Sequence, residues 1–285
     1  MDDQARALAG KRLAQLRQQT ALSMEATASK TGVTTSTVFR AEHGTAVRSE
    51  TIQALLTGYG VRDAVQRRYV LDLATGQRAS AWYDACDVPL SMAASWNLER
   101  QASEIWSYGL QFIPPLLQTP EYARAVCRIS SMSSAPAIPI ESGVRFTLTR
   151  QQLLQAETST RPQYWAVIDE SALIRSIGSP DVQVQQLDAL IDHAKQEGVV
   201  LQVARLQAPR YLPCTGPFSL YRFASTGPDD VVAVHSFADH ILRSREAIDP
   251  YVVAFNVMAA YATHPGSETL DLLHLHRASA AEAAN

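Results

Sequence analysis

The 285-residue sequence predicts an α+β protein in two parts. An all-α domain of five helices covers residues 1–75, and a larger α+β domain with a small mixed or antiparallel sheet covers residues 76–285. Three observations lead there. The first 75 residues carry only helix-period apolar patterns separated by short capping signals. From Tyr164 onward the β-rich runs YWAVID, VVLQVARL, PFSLYRF and DVVAVHSF combine with two long helical patterns, in the order strand–helix–strand–strand–strand–helix. The charge is also unevenly spread: residues 1–75 hold ten Lys/Arg against seven Asp/Glu, or +3, and the rest fifteen against twenty-one, or −6. A basic module on an acidic body fits nucleic acid at one end and another partner elsewhere.

Composition bounds the class. Apolar residues at 46% and charged residues at 19% describe a well-packed globular chain. No run of about 18 apolar residues exists, so no membrane span is expected. MDDQARALAG lacks an apolar signal core, and Cys86, Cys127 and Cys214 form no CxxC pair. A cytoplasmic protein with reduced cysteines, no metal and no cofactor is expected.

The first helix, residues 5–19, sets Leu8, Leu13 and Leu16 on one side. MEATASKTGVTTSTVFRAE, residues 24–42, then reads as a helix-turn-helix. Ala28 leaves room where two helices cross, Gly32 ends the first in a left-handed conformation, and Val38 points back into the angle between them. Ser23 and Thr34 are N-caps. With Val38 and Ala41 facing inward, Thr35, Ser36, Phe39 and Arg40 face outward, where a recognition helix meets base edges in the major groove. Arg40 suits a guanine, the hydroxyls suit base or phosphate, and Phe39 can touch a thymine methyl. Thr34, Thr45, Lys11 and Arg12 complete the candidate DNA contacts, the last two to the backbone. His43-Gly44 ends the recognition helix. Ser49 caps a fourth helix with Ile52, Leu55 and Leu56 inward, and a fifth from about Asp63 to Thr75 offers Val65, Tyr69, Leu71 and Leu73 before Gly76.

In the second part, Trp82, Tyr83, Trp96 and Trp106 lie on segments such as MAASWNLERQASEIWSYG, which read as helical. Pro114-Pro115 forces an extended loop, and Thr119-Pro120-Glu121 starts the next helix. These pieces suggest a groove lined by Trp82, Trp96, Trp106, Tyr108, Leu116 and Leu117, with Gln118 and Arg124 at its rim. SMSSAPAIPIES breaks the chain, GVRFTLTRQQLLQAE is helical, and PDVQVQQLDALIDHAKQEG is an amphipathic helix showing Val184, Leu187, Leu190 and Ile191. VVLQVARL alternates as a half-buried strand, and PFSLYRF and DVVAVHSF pair antiparallel about GPDD. DPYVVAFNVMAAYATHPG is the last strong helix, SETLDLLHLHR follows, and SAAEAAN frays.

Catalytic chemistry is not expected. Asp169 and Glu170 follow a strand and point apart, Asp229-Asp230 sits in a turn, and neither His235/Asp239/His240 nor His274/His276 has metal-ligand spacing. Neither P-loop, GxSxG nor HExxH occurs.

GKRLAQLRQQTALSMEATASKTGVTTSTVFRAEHGTAVRSETIQALLTGYGV resembles the DNA-binding domain of the Xre-family, phage-repressor-like regulators. That resemblance implies an internal ion pair between Arg17 and Glu42. The family usually has Gln or Arg, contacting phosphate, where this chain has Met24, and Leu where it has Ala41. Leu98-Glu99, IPPLLQTPEYARA, Arg150-Gln151, Asp169 to Leu173, Gln186-Leu187 and Gly216-Pro217-Phe218 resemble the C-terminal domain of actinobacterial, antitoxin-like Xre regulators, except that Pro115 replaces a usual Gly. That resemblance implies a regulator paired with a small partner protein encoded nearby. A homodimer built mainly by residues 76–285, bound to a pseudo-palindrome in double-stranded DNA, is the expected assembly. The alternative is a sensor whose second domain binds a small apolar ligand that modulates DNA binding.

Overall fold

A computed structural model describes residues 3–62, 64–75, 96, 98–131, 139–156, 161–207, 216–224, 229–235 and 240–284. The chain divides into two compact units, Met1–Cys86 and Asp87–Asn285, against a sequence-based boundary at 75/76.

The first unit holds α1 (Asp3–Gln19), α2 (Met24–Thr31), α3 (Thr35–Glu42), α4 (Ser49–Gly58) and α5 (Ala64–Ala74). Its core takes Ala5, Ala9 and Leu13 from α1, Val38 and Ala41 from α3, Ile52, Leu55 and Leu56 from α4, and Tyr69, Val70 and Leu73 from α5. Leu8, Leu16 and Leu71 are only half-buried, because the buried stripe runs through the small residues Ala5 and Ala9, and on α5 through Val70. Small residues are needed there: a Cβ on Gly10 would lie 2.5 Å from the Gly44 nitrogen and 2.6 Å from the Glu42 carbonyl. Ser23 and Thr34 cap α2 and α3 by accepting from Ala26 N and Thr37 N, and Gly32 (φ 71) ends α2. Ser49 does not cap α4; it is the first helical residue, and Arg48 holds the cap position without a side-chain bond. The Val65 side chain, Gly76, Trp82, Tyr83 and residues 132–138 of the Pro/Ser-rich break lie outside the described residues.

The second unit is built on a six-stranded mixed sheet in the order β3-β2-β1-β4-β5-β6. Its strands are β1 (Glu104–Gly109), β2 (Gln163–Asp169), β3 (Val199–Ala204), β4 (Phe218–Arg222), β5 (Val231–Val234) and β6 (His240–Leu242). β1, β2 and β3 run parallel, and β4, β5 and β6 continue antiparallel. The β4–β5 pairing is the one expected from sequence. EIWSYG, however, is central strand β1 and not helix, and β6 adds a short edge strand that the sequence reading lacks. Five of the six β1 residues are buried, so the strand shows no alternation to betray it. VVLQVARL also fails to alternate, since Val200 alone in β3 is exposed.

Its helices include α6 (Pro120–Ser131), α7 (Ile140–Gln151), α8 (Glu170–Ile174), α9 (Pro180–His193), α10 (Arg245–Tyr261) and α11 (Ser267–Ala284). One core, on the Ile105, Tyr164 and Ala166 face of the sheet, takes in residues of α6, α9 and α11; the other, on the Trp106, Tyr108 and Val167 face, is closed by α10. The buried face of α9 runs through Gln183, Gln186, Leu187, Leu190 and Ile191, so Val184 is only half-buried. Pro114 is extended, but Pro115–Leu117 forms a 3₁₀ turn where the sequence suggested an extended loop. The SAAEAAN tail is not frayed: α11 continues through it to Ala284.

Candidate nucleic-acid interface

The helix-turn-helix presents its surface through a division of α3. Val38 and Ala41 are buried, at 0% and 3% exposure, while Thr34, Thr35, Ser36, Phe39, Arg40 and Thr45 are exposed. A 3.6-residue period places 35, 36, 39 and 40 on the face opposite that core. Lys11 is exposed as well, but Arg12 is buried and donates to Gln15 Oε1 at 3.2 Å, so Arg12 stands away from the surface where the sequence reading put it.

What aims this face is an ion pair beneath it. Arg17 on α1 donates to both Glu42 oxygens at the end of α3, through Nε at 2.8 Å and Nη2 at 3.0 Å, and to the Leu22 carbonyl at 3.0 Å. Tyr59 adds its hydroxyl to Glu42 Oε1 at 2.9 Å. The hydrogen bond to Glu42 raises the Arg17 pKa, and burial, then the Glu42 charge, pushes the Tyr59 phenol up. α1, the end of α4 and the turn before α2 are thereby fixed relative to the recognition helix.

Three residues at this surface escaped sequence reasoning. An open concavity of about 520 Å³ beside α3 is lined by Thr37, Arg40, Ala46, Val47, Arg48 and Thr51. Arg40 Nη2 reaches the Ala46 carbonyl at 3.4 Å across it. Arg48 is an exposed cation at the uncapped start of α4, and its place just before a helix signal was the available clue. Thr51 lies one turn further along α4. His43 stacks on Phe39, a neighbour at i,i+4 spacing whose ring-on-ring contact the spacing alone does not specify.

Comparison with known proteins follows this division. Residues 8–70 match the model of a helix-turn-helix domain. Residues 93–274 match the model described as Domain of unknown function (DUF5753), more than half of the chain. The chain belongs to the DUF5753 family. No curated protein and no solved structure matches it.

The DUF5753 region does not gather the expected groove residues. Trp106 and Tyr108 point to one face of β1, where Trp106 stacks on Phe255 at 5.1 Å, while Leu116 and Leu117 are buried in the core on the opposite face. Gln118 is interior too, donating to the Ile113 carbonyl at 2.7 Å. Trp96 is buried. Arg124 is bridged between Glu121 at 2.6 Å and Glu141 at 2.7 Å, and Trp82 lies outside the described residues. Trp106 and Tyr108 thus pack in one core and Leu116 and Leu117 in the other, so the four do not line one groove. The suspected acid–base residues have structural partners. Asp169 caps α8 by accepting from Ser171 N, and Glu170 accepts from Leu206 N at 2.8 Å and meets His276 Nε2 at 2.9 Å. His235 Nε2 meets the buried Ser219 hydroxyl at 2.9 Å. Among the described residues no group of three His, Cys, Asp or Glu could hold a metal, and no helix is long and apolar enough to cross a membrane.

Proposed function

We propose that this protein is a sequence-specific, DNA-binding transcriptional regulator, non-catalytic and antitoxin-like, of the Xre type. The observation that carries the reading is the exposed set Thr35, Ser36, Phe39 and Arg40 on a capped helix whose inner face is fixed by Val38, Ala41 and the Arg17–Glu42 pair. Arg40 reads guanine, the hydroxyls set register on phosphate or base, and a homodimer places two recognition helices on half-sites one helical turn apart. The DUF5753 region supplies dimerisation and takes a small partner protein encoded nearby. Its support is the sequence resemblance to antitoxin-like regulators. Selection of bound duplexes from a random pool, with the full chain at fixed salt, tests the DNA reading. A palindromic consensus is expected, and binding that ignores sequence rejects it. Sedimentation tests the dimer, and co-purification with the product of the adjoining reading frame tests the partner.

A further inference from the structure

Phe39 is half exposed, at 50%, on the outward stripe of the recognition helix. It is not a loose side chain. Its ring stacks on that of His43, with centroids 3.8 Å apart and planes inclined by 25°. His43 Nδ1 lies 2.8 Å from the Phe39 carbonyl oxygen. A carbonyl only accepts, so Nδ1 carries the hydrogen, and in the neutral ring Nε2 is left as an acceptor. Thr35, Phe39 and His43 are spaced by four and share one line along the helix and its cap. The stripe is therefore hydroxyl, apolar ring and nitrogen acceptor in sequence, flanked by the exposed cations Arg40 and Arg48.

Resting on the DNA-binding reading above, we propose that Phe39 and His43 form one preordered plate that reads a thymine methyl together with a neighbouring exocyclic amine. The cations select a polyanion. The major groove is where the C5-methyl of thymine stands beside the amines of adenine (N6) and cytosine (N4). Phe39 covers the methyl, and His43 Nε2 accepts from the amine of the same or the adjoining base pair. Stacking fixes both rings before binding, so little rotamer freedom is lost on contact. Arg40, by contrast, is a donor and reads the acceptors of guanine. The two readers thus divide a half-site into a guanine position and a thymine position.

The test begins with the duplex selected by the full chain. Each thymine is replaced singly by uracil, which removes the methyl and leaves base pairing intact. One thymine in each half-site should weaken binding about fourfold on losing its methyl, the worth of one buried CH₂-sized group. Phe39→Ala should weaken binding to the unaltered duplex by a similar factor and erase the uracil penalty at that position alone. Phe39→Leu, which keeps an apolar side chain, should retain part of the penalty and guards against a folding artefact. His43→Ala should lose about fivefold selectivity for the amine-bearing base, the worth of one net hydrogen bond. A flat uracil scan with the native protein, or a uracil penalty that survives Phe39→Ala, overturns the plate while the DNA reading stands. A pool that yields no consensus overturns both.

Discussion

Each unit buries an arginine–glutamate pair with a tyrosine hydroxyl on the carboxylate, and the two pairs serve different ends. In the first unit Arg17, Glu42 and Tyr59 tie α1, α3 and the end of α4, and Arg17 also holds the Leu22 carbonyl ahead of α2. Every element it joins frames the exposed recognition face. In the second, Arg150 on α7 clasps Glu99 through Nε at 2.9 Å and through Nη2, and Tyr221 on β4 reaches the same carboxylate at 3.5 Å. Those elements meet in the interior of the second unit. Identical chemistry therefore positions a binding surface in one place and fixes packing in the other. The role of a buried pair follows from what its helices show to solvent.

The largest expected effects test that contrast directly. Arg17→Ala and Glu99→Gln each strand a buried charge or donor, and each should cost about 3–5 kcal/mol in urea unfolding. Only Arg17→Ala should also abolish operator binding in the fraction that stays folded. Equal effects of the two variants on DNA affinity would erase the distinction. Replacing the interior pair together, as Glu99→Leu with Arg150→Met, should be near neutral, because no charge is left unpaired.

A smaller loss is expected where glutamines clamp the Pro115–Leu117 turn. Gln186 accepts from Thr119 N at 2.7 Å and donates to the Leu117 carbonyl at 2.8 Å, and Gln151 donates to the Pro115 and Gln118 carbonyls. Gln186→Leu should destabilise the second unit by about 1–3 kcal/mol, the cost of orphaned buried groups, with DNA binding unchanged. Arg40→Ala should do the reverse. It should lose about 1–3 kcal/mol of operator affinity and relax one base position per half-site, with an unaltered melt.

Alkali should touch both units through their buried phenols. Burial pushes Tyr122 up to about 12, despite an Ile113 N–H that donates to its oxygen and the positive charge of Arg175. Tyr59 and Tyr164 are raised likewise. A raised folded pKa contributes stability that is complete below the ordinary tyrosine range and is lost as pH climbs through the folded value. Phenolate absorbance should thus lag behind that of the exposed tyrosines and rise together with unfolding near pH 12. The smallest effect concerns Arg124, at the surface. Its hydrogen bonds hold Glu141 below the usual carboxylate range, a contribution present above that range and lost as pH falls through the depressed value. Arg124→Ala should remove this acid-side dependence and lower neutral-pH stability only by the small amount an exposed ion pair contributes.

How much was legible differs between the units for reasons visible in single residues. The helix-turn-helix is local: Ser23 and Thr34 cap by reaching three residues on, Gly32 turns the chain by its own φ, and Val38 faces inward by period. β1 was not legible, because a strand buried on both faces carries no alternation and EIWSYG follows a helical run directly. The supposed groove failed for a related reason. Trp106 and Leu116 are ten positions apart in sequence, but the pleat and the 3₁₀ turn send them to opposite sides of the sheet.

The sequence by itself determined the five helices with most of their caps, the outward face of α3, the β4–β5 hairpin and the α+β class, since each depends on contacts within a few residues. The Arg17–Glu42 pair was implied by family resemblance, 25 positions apart, and the fold realised it. Only the tertiary structure decided the sheet order β3-β2-β1-β4-β5-β6, the burial of Arg12, the Glu99–Arg150 clasp and the glutamine ties around Leu117. It alone placed the His43 ring against Phe39. Burial and side-chain partnership across distant elements are properties of close packing, and residue order alone does not encode which of many polar groups the packed core will leave facing one another.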